Sequence, residues 1–212
     1  MLRYIYGSNL HDHPVLADTM FRDRGVQFRD RLGWDVSVDA QGHERDEYDG
    51  EDPLYVIWQR PDGRHGGSMR FLPTTGPTMV NDHFADLSDG AAIRSPLIWE
   101  STRFCLAPNA NSRIAAALML GGGEVMRGFG VTQFVGVFDA RMVRIYRRVV
   151  SSPTVLGSSE TGRDKISVGL WTYNPSDRVK VLWRAGLSSA LSHHWYARAF
   201  GEKPEKMLAR AA

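Results

Sequence analysis

The chain has 212 residues, 42% of them hydrophobic, which is enough for one domain with a buried core and excludes disorder over most of its length. Its 26 Lys and Arg residues nearly balance its 24 Asp and Glu residues, so the net charge of +2 gives no sign of a nucleic-acid-binding protein. The single cysteine, Cys105, excludes an internal disulfide, and no apolar run approaches the ~20 residues that span a bilayer. We therefore expect a cytoplasmic protein with neither a membrane nor a nucleic acid as its partner.

The first half of the chain predicts one long helix among short strands. Leu16, Met20, Phe21 and Phe28 recur at helical spacing, and Gly33 ends the pattern. In chain order we expect a strand at 2–6, a helix at 12–31, a polar loop at 35–52, strands at 54–59 and 67–72, an irregular stretch at 73–80 and a strand at 97–104.

The second half predicts alternating helices and strands. A helix capped by Asn111 or Ser112 would run towards Met126 through three glycines at 121–123. Each glycine costs a helix about 1 kcal/mol relative to alanine, so either the helix breaks there or a neighbour packs close against it. We further expect a strand at 131–138, a helix at 142–150, a strand at 166–173, a helix at 178–200 and fraying of the last twelve residues. This order predicts an α/β or α+β fold with one mixed sheet.

Several common site motifs are missing from the sequence. The glycines at 121–123 are followed by Glu124 and Val125, where a phosphate-binding loop needs Lys and then Ser or Thr. The histidines lack the spacing of a zinc site, and no Gly-x-Ser-x-Gly elbow is present. We therefore expect no metal and no bound cofactor.

Three segments combine charged and aromatic residues in a way that is typical of a polar ligand site. They are 24–34, the acidic stretch 44–50 and the strand end 99–104. Arg24 and Phe28 share a helical face, and along a regular strand Glu100 would share a face with Thr102 but not with Arg103. Taken singly, each segment also fits a solvated surface, an ordinary ion pair or plain core.

Together, the segments closely resemble the signature of LuxI-type acyl-homoserine-lactone synthases. The matching stretches are RLGW at 31–34, ERDEYDG at 44–50, GSMRFLPT at 67–74 and ESTRF at 100–104. The resemblance implies a single domain over 1–212 with a fold like that of the GNAT acyltransferases, in which helices flank a mixed central sheet whose strands splay apart. It is strong from residue 20 to 104 and weaker up to about residue 190.

The resemblance also implies a reaction. Members of this family transfer an acyl group from an acyl carrier protein to the amine of S-adenosylmethionine, close a lactone and release methylthioadenosine, which produces a quorum-sensing signal. S-adenosylmethionine is then a substrate rather than a cofactor. Acyl-CoA is the alternative acyl donor.

The charges of S-adenosylmethionine suggest a role for each charged match. Arg24 and Arg103 are candidates for its carboxylate, through charge-assisted hydrogen bonds. Asp46 and Asp49 are candidates for its cationic end. Arg70 is expected to brace the acidic loop through ion pairs.

The remaining matches suggest stacking and proton transfer. Phe28 and Trp34 could enclose the adenosine or the sulfonium, because a cation is attracted to an aromatic face. The amine must lose a proton before it attacks, and Glu100 is the expected base, directly or through one water, with Glu44 as the second candidate.

The acyl group requires an apolar tunnel and a docking surface for its donor. Gly136 stands where some family members that prefer 3-oxo chains carry a threonine, which argues against that preference. The stretches 73–78 and 98–100 resemble those of a subgroup that handles long chains. The other expected tunnel residues are Trp99, Leu118, Met119, Met126, Phe134 and Phe138. A predicted helix face that could dock an acidic carrier, or simply be solvated, carries Arg141, Arg144, Arg147 and Arg148.

Two other functions fit parts of this pattern. The first is a GNAT-type N-acyltransferase that uses acyl-CoA and a different amine, but the pyrophosphate-binding signature expected around 111–118 is missing. The second is a non-catalytic binding protein, which predicts loss of Glu100 or Arg24, and both are present.

Overall fold

A computed structural model describes residues 1–140, 142–143, 152–159 and 165–201. In this part of the chain, seven strands form one mixed sheet of order β1-β2-β3-β4-β5-β7-β6, in which only β4 and β5 pair in parallel. The strands are β1 (Leu2–Tyr6), β2 (Leu54–Gln59), β3 (His65–Pro73), β4 (Ile98–Leu106), β5 (Gln133–Asp139), β6 (Thr154–Ser158) and β7 (Ile166–Thr172). The predicted mixed sheet is confirmed, with β6 as a strand that the sequence pattern did not predict.

Helices cover both faces of the sheet. They are α1 (Pro14–Gly25), α2 (Met79–His83), α3 (Ser112–Phe129), α4 (Pro175–Ala185) and α5 (Ser189–Phe200). The helix expected over 12–31 is in fact composite, because the 3-10 turn Gly7–Asp12 precedes α1 and a wide π turn, Val26–Arg31, follows it. The helix expected over 178–200 is wrong as one element. It is broken at Gly186, whose φ of 67° ends α4 before Ser188 caps α5.

The side chains of β2 show how the core divides between the two faces. Val56 packs on the α3 side in the larger apolar cluster, while its neighbours Tyr55 and Ile57 pack on the α1 side with Met20 and Phe21. All five are buried, so β2 is a central strand with both faces covered.

The three glycines of α3 do not break it, and close packing explains the first of them. A Cβ added at Gly121 would lie 2.6 Å from Cγ1 of Val56, so only glycine lets the helix approach β2 this closely. At Gly123 an added Cβ would meet nothing within 4 Å. Of the two alternatives the sequence left open, close packing of a neighbour is therefore correct.

The pairing between β4 and β5 is short, and this positions the site. Only Ile98, Trp99 and Glu100 pair with β5, opposite 133–135. Beyond Glu100 the two strands part, which leaves a gap in the middle of the sheet. The predicted splay of the central strands is thus confirmed.

Some predictions fall outside the described part of the chain. These include most of the helix predicted at 142–150 and the last residues, 202–212. They also include the four arginines predicted to dock a carrier, Arg141, Arg144, Arg147 and Arg148. Among the described residues, no helix has the length and apolar character needed to cross a membrane.

Candidate active site

Six charged side chains from distant parts of the chain meet in one ion-pair network on the α1 side of the sheet. Three are arginines and three are carboxylates, so their formal charges cancel. The members are Arg24, Glu44, Asp46, Asp49, Arg70 and Arg103.

Arg24 is completely buried within the network. Its Nε donates to Glu44 at 2.6 Å, and its two terminal nitrogens donate to the two carboxylate oxygens of Asp49 at 2.9 and 2.8 Å. Such bidentate, charge-assisted pairs are strong and fix both partners in orientation. The guanidinium that the sequence offered to a substrate carboxylate is therefore occupied by carboxylates of the protein.

Arg70 ties the acidic loop to the sheet. It donates to both oxygens of Asp46, to Asp49 at 2.9 Å and to the hydroxyl of Thr102 at 3.0 Å. Burial works to raise the pKa of Asp49, but the guanidinium groups of Arg24 and Arg70 outweigh it and hold that pKa well below its usual range. Arg70 therefore forms ion pairs with the acidic loop, and its bracing role in the active site stays a prediction.

The acidic loop is held by its own local structure as well. Asp46 caps a short 3-10 helix, Glu47–Gly50, and Asp46 and Asp49 form a reciprocal capping box. The loop expected over 35–52 therefore contains regular structure, including a bridge between Val38 and Glu44. This structure turns the carboxylates inward, whereas a purely solvated loop would leave them in water.

A β-bulge brings Arg103 into the network. Between the paired residues Ser68 and Arg70, β3 has one residue, while β4 has both Arg103 and Phe104 between Cys105 and Thr102. Arg103 takes up the extra position with a φ of 51°, a left-handed conformation that is uncommon outside glycine. The expectation that Thr102 and Arg103 face opposite sides was wrong, because the bulge interrupts the strand alternation.

In this position Arg103 links the network to the aromatic residues. Its terminal nitrogen Nη2 lies 3.0 Å from Glu44 and 2.7 Å from Asp46. Its guanidinium also lies over the ring of Phe28, 5.6 Å from the ring centre. Phe28 is buried and stacks on the half-exposed Trp34, with ring centres 5.2 Å apart and planes 3° from parallel. Phe28 lies within the π turn, and the backbone N–H of Trp34 donates to the Phe28 carbonyl at 2.9 Å, which brings the two rings together.

Glu100 is buried beside the network but is not one of its members. Its carboxylate accepts hydrogen bonds from the backbone N–H groups of Val80 at 2.6 Å and Met79 at 3.2 Å, at the start of α2. Burial raises the pKa of Glu100 to about 7, against the lowering effect of those bonds and of the nearby Arg70. A carboxyl group with this pKa can both take up and release a proton near neutral pH.

A cavity of about 1530 Å³ passes through the gap between β4 and β5. Its polar wall includes Phe28, Trp34, Glu44, Asp46 and Arg103. Its apolar wall includes Met119, Met126, Phe134 and Phe138.

The other predicted site residues do not line the cavity. Arg24, Asp49, Arg70 and Glu100 do not border the cavity. Met79, whose backbone N–H donates to Glu100, and Ser101, which follows Glu100 in the chain, do border it. Three of the expected tunnel residues also lie elsewhere: Trp99 packs on Phe129, Leu118 is fully buried in the core, and Gly136 faces the Ser101 carbonyl and Trp171.

The sequence reasoning also missed cavity residues. Asp23, Gln27, Arg31 and Arg45 border the cavity near the polar wall. Gln27 and Arg31 follow Asp23 along one side of the helix at spacings of four, which was the available signal.

Comparison with known proteins identifies the family of this chain. The sequence model of the autoinducer synthase family matches residues 8–178. An acyl-homoserine-lactone synthase from Rhizobium etli is 42% identical over 198 residues, which cover 90% of this chain and 92% of that protein.

Solved structures agree on the fold. BjaI, a CoA-dependent acyl-homoserine lactone synthase solved with SAM and isopentyl-CoA, is 23% identical with a TM-score of 0.78, over 89% of this chain and 90% of that one. An aminoglycoside 6'-acetyltransferase of type Ii has a TM-score of 0.54 at 13% identity, over 82% of this chain and 98% of that one, so the predicted likeness to acetyltransferases is confirmed. The chain therefore belongs to the autoinducer synthase family and is an acyl-homoserine-lactone synthase, an acyltransferase.

Proposed function

We propose that this synthase takes a long acyl chain from an acyl carrier protein in the cytoplasm, joins it to the α-amine of S-adenosylmethionine, and then closes the lactone with release of methylthioadenosine. One observation carries the proposal. A single cavity of about 1530 Å³ has a wall of charged and aromatic residues for the amino acid and an apolar wall for the acyl chain.

The polar wall binds S-adenosylmethionine in this proposal. Arg103 is the network arginine that borders the cavity, so it contacts the substrate carboxylate. The stacked rings of Phe28 and Trp34 enclose the adenosine. Arg24 and Arg70 act one layer behind, where they hold the orientation of Glu44, Asp46 and Asp49.

Glu100 is the proposed base, acting through one water molecule. Its pKa of about 7 suits proton transfer at neutral pH, and a free α-amine needs only modest help because its own pKa is ~8. The alternative base, Glu44, has its two oxygens occupied, one by Arg24 and the other by Arg103. Its carboxylate is therefore committed to two ion pairs within the network.

The apolar wall receives the acyl chain. This wall includes Met119, Met126, Phe134 and Phe138, whose side chains donate no hydrogen bond to a keto group. Gly136, at the position where the family resemblance puts a threonine in members that prefer 3-oxo chains, lies outside the cavity lining and has no hydroxyl. A 3-oxo group placed against these four side chains would lose its hydration without compensation. We infer a preference for long chains without an oxygen at that carbon.

The identity of the donor is the part most open to a direct test. BjaI uses CoA, but residues 111–118 of this chain lack a pyrophosphate-binding signature. Purified protein would be given S-adenosylmethionine with acyl-carrier-protein or acyl-CoA donors of matched chain length, and lactone and methylthioadenosine would be quantified. We expect kcat/KM to favour the carrier protein at least about tenfold, a difference of about 1.4 kcal/mol. Preference for acyl-CoA would overturn the donor assignment, and no lactone at any chain length would overturn the reaction.

A further inference from the structure

A second buried chain of hydrogen bonds, separate from the arginine network, ends at the cavity. Asp23 on α1 accepts from Nδ1 of His65 at 2.7 Å, and Nε2 of His65 lies 3.1 Å from the hydroxyl of Ser68. His65 and Ser68 are buried, whereas the Asp23 side chain is 20% exposed and borders the cavity. The three residues thus connect the core to the cavity wall.

The arrangement contains the Ser, His and Asp of a hydrolase triad. Here, however, the aspartate rather than the serine borders the cavity. Ser68 is only 2% exposed and does not border the cavity, so it cannot reach a substrate as a nucleophile. Burial lowers the pKa of His65, which keeps the ring neutral. A neutral ring that donates from Nδ1 to Asp23 must accept at Nε2, so Ser68 donates there. The backbone N–H of His65 also donates to the hydroxyl of Thr19 at 3.0 Å, which fixes the strand at this point.

The charges of the substrate and of the cavity wall indicate a role for the Asp23 carboxylate. S-adenosylmethionine carries an ammonium, a sulfonium and a carboxylate, a net positive charge, while the arginine network is formally neutral. Outside the network, the charged residues Arg31, Arg45 and Asp35 at this wall are exposed, and Glu47 pairs with His83 and is 62% exposed. Asp23 is more shielded from water, and among the described residues His65 is its only side-chain partner.

The ammonium and the sulfonium of S-adenosylmethionine have different requirements during the reaction. The ammonium has to lose a proton, and a carboxylate beside it would oppose that loss by raising its pKa. The sulfonium is a permanent cation that needs an anion until methylthioadenosine leaves. We propose, on the basis of the proposed function, that Asp23 binds the sulfonium of S-adenosylmethionine and that His65 is the residue that positions Asp23.

The test compares two ligands that differ in the sulfonium. S-adenosylhomocysteine keeps the ammonium, the carboxylate and the adenosine but carries a neutral thioether. Binding of both ligands would be measured by calorimetry for the wild type and for Asp23→Asn, which preserves the shape of the side chain and an oxygen for His65. We expect the variant to weaken S-adenosylmethionine about tenfold and S-adenosylhomocysteine less than about twofold. Equal weakening of both ligands, or of neither, would overturn the proposal.

Kinetics provide a second readout that a merely structural role would not produce. The positive charge of the sulfonium disappears when the lactone closes, so Asp23 stabilises the substrate more than the transition state of that step. Asp23→Asn should therefore raise KM for S-adenosylmethionine without lowering kcat. His65→Phe should produce the same split more weakly, and Ser68→Ala should leave both constants near the wild-type values. A fall in kcat with unchanged KM would contradict the assignment. A wild type that fails to bind S-adenosylmethionine would overturn the proposed function as well, whereas an unchanged Asp23→Asn overturns only this inference.

Discussion

Arg22 and Arg24 lie two residues apart on α1 but in opposite surroundings. Arg22 is half-exposed and pairs with Asp18 one turn earlier, whereas Arg24 is completely buried between Glu44 and Asp49. The helical rotation between the two positions separates a solvated ion pair from a buried one.

This contrast predicts different costs for the same substitution. Arg24→Ala leaves two buried carboxylates without their main partner, which should reduce the free energy of unfolding by about 3–5 kcal/mol. Arg22→Ala removes a surface pair and should cost less than about 1 kcal/mol. Urea unfolding of both variants measures the difference. Similar losses for the two would show that the network does not stabilise the fold.

Glu100→Gln tests the proposed base. The amide can still fill the space at the start of α2 but cannot take up a proton, so kcat should fall about 100-fold or more while KM for S-adenosylmethionine changes little. Steady-state rates of methylthioadenosine release provide the measurement. Should the variant retain wild-type turnover, the proton must leave by another route.

The pH dependence follows from the raised pKa of Glu100. The carboxylate is the active form of a base, and it becomes protonated as the pH falls through about 7. We therefore expect kcat to decline below neutral pH, by about tenfold per unit once the group is mostly protonated. Glu100→Gln should lack this limb. A wild-type profile that is flat down to pH 5 would indicate that no group of this pKa takes part.

Two glycines of α3 predict opposite effects of alanine. At Gly121 the new Cβ would press on the fully buried Val56, so Gly121→Ala should lower the melting temperature. At Gly123 the space is open, and Gly123→Ala should stabilise the helix by up to about 1 kcal/mol. Thermal unfolding of the two variants, which differ only in position, separates packing from helix propensity. Stabilisation by both would mean that α3 can shift away from β2.

The apolar wall predicts control of the acyl chain. Met126 borders the cavity, so Met126→Trp should shorten the space and shift the lactones produced towards shorter chains, as measured by mass spectrometry. Leu118 lies on the same helix, fully buried and away from the cavity, and Leu118→Met conserves volume there. That control should leave the product distribution unchanged. An unaltered distribution in Met126→Trp would place the acyl chain elsewhere.

Elements with a clear sequence period could be predicted from the sequence. The pattern of β2 gave its bounds as observed, and the start of α3 follows from the capping residue Asn111. The break at Gly186 was missed because an amphipathic period continues on both sides of a single glycine. The wide turn after α1 was missed for a related reason, since its residues keep a helical spacing while the backbone widens.

For the site, the sequence indicated which residues come together but not the contacts that each of them makes. The charges of Arg24, Asp49 and Arg70 fit contacts with a charged substrate as well as ion pairs with one another. Only the tertiary structure distinguishes these two possibilities. The conformation of Arg103 could not be read from its neighbours, because a bulge depends on the register of β3. For Asp23 the helical spacing to Gln27 and Arg31 was the available signal, but its partner His65 could not be predicted because it is 42 residues away.

The short pairing between β4 and β5 divides the sheet into a four-stranded and a three-stranded part that share three residue pairs. On the side of the gap, the backbone of β4 beyond Glu100 pairs with no strand in the part of the chain that the structure describes. A thioester donor with amide groups in its arm can lie there as an added strand does in β-augmentation, and so join the two parts. The bound donor would then bridge β4 and β5. Amide hydrogens of β4 beyond Glu100 should therefore exchange more slowly with the donor bound than without it.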